Sequence, residues 1–456
     1  MRHALTAVFY GDDFTGASDN AAQYARHGLR TLLFFSNPDP LVLQRAAADY
    51  DVIGVAGTAR SLATHAMAAE IVPVLHNFRQ LNVPLIQYKC CSTFDSSPDT
   101  GSLGEAIRLM RSCWPDSLVP VLAATPEFGR YTLFGHHYAR AGEQVYRLDR
   151  HPVMARHPVT PMHESDLALV LQSQQFSPQQ HVDLRTLDAY ADQAAALGDV
   201  IATYDSVVFD GYSLQQVTTA AASIWHASAS RQLCAMAAQG FAHGLGLYLR
   251  QSGRLTAAEP THALKPVDQL LVLSGSCSSL SAAQIDWAIG AGFASFRIDP
   301  ATLLDAAHAS MDALEQAMLS ALAAGNSVVI YTAKGPDDAQ VGTVQAGIPQ
   351  DVAAAAYVAQ RIGQVFARLA RSAIAGAGLT RLVVAGGDSS SFTMRQLGAV
   401  ALEIKASHIR QNAHVCALMS DDPLIHGKEV LLKGGQVGAE NLYGVMRDGF
   451  TGSSTH

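Results

Sequence analysis

The sequence predicts an α/β protein of two Rossmann-like open-sheet domains, with an inserted β-hairpin in the first and extra C-terminal strands in the second. Three observations lead there. Short apolar runs alternate with alanine-rich helical stretches along most of the chain, the pattern of parallel strands covered by helices. Many runs end in turns rich in glycine, hydroxyls and charge, as expected at the ligand-binding edge of an open sheet. The alternation stops at Arg254–Pro266, a polar segment with two prolines and no periodicity, and then restarts. This divides the chain into a first domain (1–253), a linker (254–266) and a second domain (267–456).

Length and composition agree with that division. A chain of 456 residues is too long for one typical core. Its 49% hydrophobic and 15% charged content suits packed helices over buried strands. The formal net charge of −8, without any Lys/Arg-rich run, argues against nucleic acid or an anionic membrane as partner. Leu5–Tyr10 is apolar but meets Asp12-Asp13 at once, too short for a signal sequence, and no run of about 18 apolar residues is present to span a bilayer. The six cysteines have neither metal-ligand nor disulfide-framework spacing. The expectation is a reduced, soluble, cytoplasmic protein.

In chain order, Leu5–Tyr10 reads as a buried first strand, running into Gly11-Asp12-Asp13-Phe14-Thr15-Gly16 and an alanine-rich helix to about Arg26. Two adjacent carboxylates at a strand-to-helix turn can position or deprotonate a hydroxyl, although Asp13 or Thr15 can also cap the helix. A strand (31–35), a helix (40–49) and a strand (51–56) follow, and Gly57–Ser61 opens another helix. Arg60 in that turn is well placed for a carboxylate. The strand 84–88 delivers Lys89 and a hydroxyl-rich loop containing Ser92, Thr93 and Asp95. After a strand at 118–123, residues 128–137 and 144–148 read as an inserted hairpin. His136-His137 in it lacks the spacing of a zinc site, and no metal ligands are assigned. Ser165-Asp166 offers a helix cap. Val207–Phe209 is a strand, and long helices are expected at 214–229 and 232–250.

In the second half, strand 269–273 enters Ser274-Gly275-Ser276-Cys277-Ser278-Ser279 and a helix to Ala291. Strand 293–298, helix 300–324, strand 327–331 and helix 351–375 lead to Val383-Val384-Ala385-Gly386-Gly387-Asp388-Ser389. There glycines let the backbone approach an anion, and the N–H groups of a following helix, expected over 392–402, point at it. Strands at 401–404, 415–419 and 430–432 follow, the last entering Lys433-Gly434-Gly435, and a helix at 440–446 closes the domain. None of these loops matches G-x-x-x-x-G-K-[ST] or G-x-G-x-x-G.

Taken together, Asp12–Ala17, Ala59–Leu62, Tyr88-Lys89 with Cys91–Ser96, Phe128–Thr132, His157–Met162, Ser274–Ser278, Ala385–Ser390 and Lys433–Gly438 resemble, in order and over nearly the whole chain, the four-carbon acid sugar kinases. These include 3-oxo-tetronate, D-threonate and D-erythronate kinases. The resemblance implies a sugar-acid-binding first domain, a nucleotide-binding second domain, ATP with Mg²⁺ as cosubstrate and a homodimer. It places Asp12 and Asp13 as catalytic residues. Arg60, Lys89, Ser92, Thr93, Asp95, Arg130 and His157 would bind the acid, and Ser274, Ser276, Gly386, Gly387, Asp388, Ser389, Gly434 and Gly435 the nucleotide. Two departures stand out. The family's Gly-Gly-Glu-Thr-Ser-Gly is here Gly386-Gly387-Asp388-Ser389-Ser390-Ser391, with an acid one methylene shorter. The stretch after Ile404 lacks the family's Ile-Asp-Pro-Gly-Val-Pro.

The expected chemistry is phosphoryl transfer to a hydroxyl of a small sugar acid, which needs positioning and charge neutralisation more than covalent chemistry. Two other classes fit parts of the sequence. One is a sugar-acid sensor without kinase activity, which would bind the acid but not ATP. The other is an oxidoreductase or lyase acting on the same acids, against which the absent dinucleotide motif counts.

Overall fold

The apolar runs of the N-terminal half become parallel strands in the computed structural model, which describes residues 5–157, 159–255, 263–304, 308–339, 354–408, 413–435 and 437–451. The chain forms two compact units, Met1–Pro260 and Thr261–His456. Most of the segment expected as a linker, 256–262, lies outside the described residues.

The first unit contains β1 (Ala7–Gly11), β2 (Thr31–Phe34), β3 (Val52–Ala56), β4 (Leu85–Lys89), β5 (Val119–Leu122), β6 (Arg130–Leu133), β7 (His136–Ala141), β8 (Gln144–Arg147), β9 (Gln180–Val182), β10 (Ser206–Phe209) and β11 (Leu233–Ala237). Its main sheet is parallel, in the order β2-β3-β1-β4-β11-β5-β10-β9. From β1 the chain moves to one side for β2 and β3, then crosses to the other for β4. The gap between β1 and β4 is therefore the topological switch point, where open sheets leave a crevice for ligands. β1 is buried along its whole length, and each fully buried large apolar side chain contributes about 1.5–3 kcal/mol.

Two expectations change here. Residues 232–250 are not one helix: Leu233–Ala237 is a fully buried strand between β4 and β5, and the helix begins at Gln239. A strand buried on both faces shows no alternation, so Leu233-Cys234-Ala235-Met236-Ala237 merges with the helical pattern after it. The inserted hairpin is a three-stranded antiparallel sheet, β6-β7-β8. Asp166 caps the helix Leu167–Ser173 as expected, accepting from the N–H groups of Ala168 and Leu169.

The second unit contains β12 (Leu271–Ser274), β13 (Ala294–Arg297), β14 (Val328–Tyr331), β15 (Arg381–Ala385), β16 (Ala401–His408), β17 (Ala413–Met419) and β18 (Glu429–Lys433). Its order is β13-β14-β12-β15-β18-β17-β16. Pairing is parallel from β13 to β18 and antiparallel through β17 and β16, the extra C-terminal strands. The switch point falls between β12 and β15, where Ser274 lies opposite Ala385. Leu270, Val272, Ile285, Phe293, Val383 and Leu431 form part of its core. The helix after β15 runs from Asp388 to Gln396, earlier than the glycines alone suggest.

Candidate active site

The switch point of the first unit gathers the acidic and basic residues of three loops. Main-chain bonds fix the loops first. The N–H of Asp12 donates to the Lys89 carbonyl (3.1 Å), that of Gly57 to the Gly11 carbonyl (2.8 Å), and that of Arg60 to the Asp12 carbonyl (3.1 Å). On that frame Arg60 donates from Nε to Asp12 Oδ2 (3.1 Å) and from Nη2 to both Asp12 Oδ1 and Asp13 Oδ1 (2.8 Å each). Asp13 also accepts from the Gly16 N–H at 3.0 Å, so it caps the helix Phe14–Ala25 while bound to Arg60. Lys89 reaches the same turn. A Cβ at Gly16 would stand 2.3 Å from Lys89 Nζ and 2.4 Å from Asp13 Oδ1, so only glycine leaves room for both.

The two acids differ. Asp12 is 2% exposed and both of its oxygens are taken by Arg60. The Asp13 side chain is 30% exposed, and its Oδ2 is unengaged among the described residues. Burial pushes the Asp12 carboxyl upward, against the pull of Arg60 and Lys89. Burial would lower the Lys89 ammonium, but the fields of Asp12 and Asp13 outweigh it and hold the group charged.

The loop after β4 lines this cluster. Thr93 donates to Asp95 Oδ1 at 2.6 Å. Burial favours a neutral Asp95, yet Arg60 and the Thr93 hydroxyl hold the carboxyl below its usual range. The Ser92 carbonyl accepts from His137 Nε2 (2.8 Å), which ties the inserted sheet to the loop. Arg130 binds the carbonyls of Phe128 (2.7 Å) and Gly129 (3.4 Å) and leaves its Nε buried without a partner. Burial lowers the basicity of its guanidinium, against the charge of Asp95. His157 Nδ1 accepts from the Thr160 N–H (3.1 Å) and pairs with the Thr160 hydroxyl (2.9 Å), within its own loop.

Glu70, which the sequence does not single out, holds the Arg60 turn. Glu70 accepts from the Thr58 N–H (2.6 Å) and hydroxyl (2.6 Å) and from the Tyr10 hydroxyl (2.5 Å). Gly57 makes space for that hydroxyl, which a Cβ would approach to 1.9 Å.

In the second unit the switch point is built from glycine and serine. Ser274 is fully buried, with its hydroxyl beside that of buried Tyr443. Ser276 and Ser278 share a hydrogen bond at 3.3 Å, and Ser278 donates to the Gly435 carbonyl at 2.6 Å. Gly386 has φ of 148°, and a Cβ there would lie 2.2 Å from Ser389 Oγ. Its N–H donates to the Lys433 carbonyl at 2.9 Å. Gly387 is the N-cap of the helix that starts at Asp388, whose side chain lies outside the described residues. Gly435 would bring a Cβ within 3.1 Å of Ser276 and Ser278, and Gly434 joins it to β18. Close-set backbone, two helix N-termini and a cluster of serine hydroxyls suit the phosphates of a nucleotide.

A profile for a sugar-binding N-terminal domain matches residues 7–245, and one for a nucleotide-binding C-terminal domain matches residues 271–442. A 3-oxo-isoapionate kinase of Paraburkholderia graminis is 35% identical over 98% of this chain and 94% of its own. A 3-oxo-tetronate kinase of Pseudomonas fluorescens is 29% identical over 95% of this chain and 94% of its own. The crystal structure of a Haemophilus influenzae protein of the family designated DUF1537 shares the fold, with a TM-score of 0.73 and 22% identity over 96% of this chain and 99% of that one. The two domain matches account for both halves of the architecture, and the chain belongs to the four-carbon acid sugar kinase family.

Proposed function

We propose that this chain transfers a phosphoryl group from ATP to a hydroxyl of a 3-oxo sugar acid. An ATP-dependent sugar-acid kinase is the activity its family implies, and a 3-oxo acid is what the names of both relatives share. The observation that carries the reading is the cluster Asp12, Asp13, Arg60 and Lys89, held between β1 and β4.

In this reading residues 1–253 bind the acid, residues 267–456 bind the nucleotide, and 254–266 join them. Asp13 offers its exposed oxygen to the acceptor hydroxyl and takes its proton, since it is the acid with an oxygen to spare. Asp12 anchors Arg60. Arg60 and Lys89 neutralise the substrate carboxylate, with Ser92, Thr93 and Asp95 along the loop beside them. Arg130, with its unpartnered Nε, and His157 complete the acid-binding set. Ser274, Ser276, Gly386, Gly387, Asp388, Ser389, Gly434 and Gly435 frame the nucleotide phosphates, with the N–H groups of the helix start at Gly387–Ser389 to hold them, and Mg²⁺ would offset their charge.

We place the enzyme in the cytoplasm, as a homodimer. Among the described residues no helix is long and apolar enough to cross a membrane, and the cysteines are unpaired. The deciding experiment is ATP consumption with Mg²⁺ over a panel of 3-oxo-isoapionate, 3-oxo-tetronate, threonate and erythronate, with the product identified by mass. A phosphorylated 3-oxo acid supports the reading. Turnover confined to threonate or erythronate overturns the 3-oxo assignment, and binding of acids without any turnover overturns the kinase.

A further inference from the structure

The two buried lysines at the sheet edges have opposite surroundings. Lys89 and Lys433 are each 2% exposed. Each is the last residue of a strand beside a switch point, Lys89 opposite Gly11 and Lys433 opposite Ala385. Lys89 has Asp12 and Asp13 to balance its charge. Lys433 has no such partner: among the described residues the ion pairs of the second unit do not include it. Its ammonium donates to Ser281 Oγ at 3.1 Å, a neutral acceptor. Burial draws its pKa down from the ordinary 10.5 to about 8.

The position makes this charge more costly still. Ser281 lies in the first turn of the helix Ser279–Gly290, whose N-cap is Ser278. A helix N-terminus carries partial positive charge, so the ammonium faces another positive end inside the protein. An uncompensated buried cation is strongly disfavoured unless an anion joins it. Hydroxyls able to turn toward one lie beside it: Ser281 is hydrogen-bonded to Ser278 (3.0 Å) and Ser278 to Ser276 (3.3 Å), in the turn that opens this helix.

We propose that Lys433, steered by Ser281, is the side chain that pairs with the polyphosphate of the nucleotide, in a site otherwise built from backbone and hydroxyls. The proposal rests on the second unit binding ATP. It adds a charged residue to a site that glycine spacing alone had drawn.

The test is calorimetric binding of ATP, tripolyphosphate and adenosine to the full chain, wild type against K433M, K433R and S281A, together with melting of each protein without ligand. K433M is expected to bind ATP and tripolyphosphate about 10- to 100-fold more weakly and adenosine as wild type does. Its ligand-free melting temperature should rise by about 2–4 °C or more, because a buried charge has gone. K433R should recover most of the ATP affinity, and S281A should lose about two- to fivefold. ATP and tripolyphosphate affinities in K433M equal to wild type would overturn the proposal while leaving the nucleotide site intact. A K433M protein that melts lower and loses adenosine as well would make the lysine structural and overturn it too. Wild-type protein that binds neither ATP nor adenosine would overturn the nucleotide reading and this proposal with it.

Discussion

The two switch points share a topology and differ in chemistry. In each, a first strand (β1 or β12) is flanked by the strand the chain reaches by returning (β3 or β14) and the one reached by crossing (β4 or β15). At β1 the grip consists of ionised side chains: two carboxylates and two cations within hydrogen-bonding or crowding distance. At β12 it consists of main chain and hydroxyls, with Lys433 as the buried charge. The contrast matches the ligands. A small acid with several hydroxyls is told from its isomers by directed side chains, whereas a phosphate chain is held by N–H groups that need close backbone approach.

The contrast breaks first at Asp13. Asp13→Asn should lower kcat by about 100-fold or more with the protein still folded, since it removes the proposed base. Asp12→Asn should act chiefly through KM for the acid, by releasing Arg60. Equal kcat in both variants and wild type, measured by ATP consumption, would remove the acids from the chemistry.

Lys433 gives the next largest effect, on stability. Folding draws the group from its ordinary 10.5 down to about 8, so between those values the unfolded chain holds more protons than the folded one. Stability due to this group therefore rises with pH across that window, and below it the full penalty stands, about 3 kcal/mol. K433M should exceed ligand-free wild type by that order in denaturant unfolding at pH 7, and the gap should close as pH passes from 8 to 10.5. A gap that does not change with pH would place the cost elsewhere.

Gly386→Ala tests the backbone half. At φ of 148° a side chain is strained, and the new methyl would press on Ser389. Strain of about 1–3 kcal/mol should raise the KM for ATP roughly tenfold while leaving acid binding by calorimetry unchanged. Loss of both affinities would show that the two grips are not separable. The smallest effect is expected at Glu70. Glu70→Gln keeps its size but loses the charge that holds Thr58 and Tyr10, and should raise the KM for the acid about two- to fivefold with little change in kcat.

Much of this was legible in the sequence, for a physical reason. Asp12-Asp13 and Gly386-Gly387 sit where a strand becomes a helix, and that transition is marked locally by apolar runs and breakers. β11 was not legible, because a strand buried on both faces and rich in alanine carries the same local signal as the helix that follows it. Arg60 was readable as a turn residue, but its bond to two acids 47 and 48 residues earlier depends on the order of strands. Glu70 carried no signal at all, since nothing about a helical glutamate tells that it meets Thr58 and Tyr10. At Lys433 the sequence shows a charge ending an apolar run, but whether a carboxylate awaits it is a fact of the folded neighbourhood.

The loops of the first site are joined through main-chain atoms, Asp12 to Lys89, Gly57 to Gly11 and Arg60 to Asp12, and a side-chain replacement leaves those bonds in place. Positions 60, 89, 92 and 93 can thus exchange their functional groups while the peptide scaffold that aims them stays where it is. Such a separation of framing from chemistry lets one fold be retuned among closely related acids by single substitutions, without rebuilding the crevice each time.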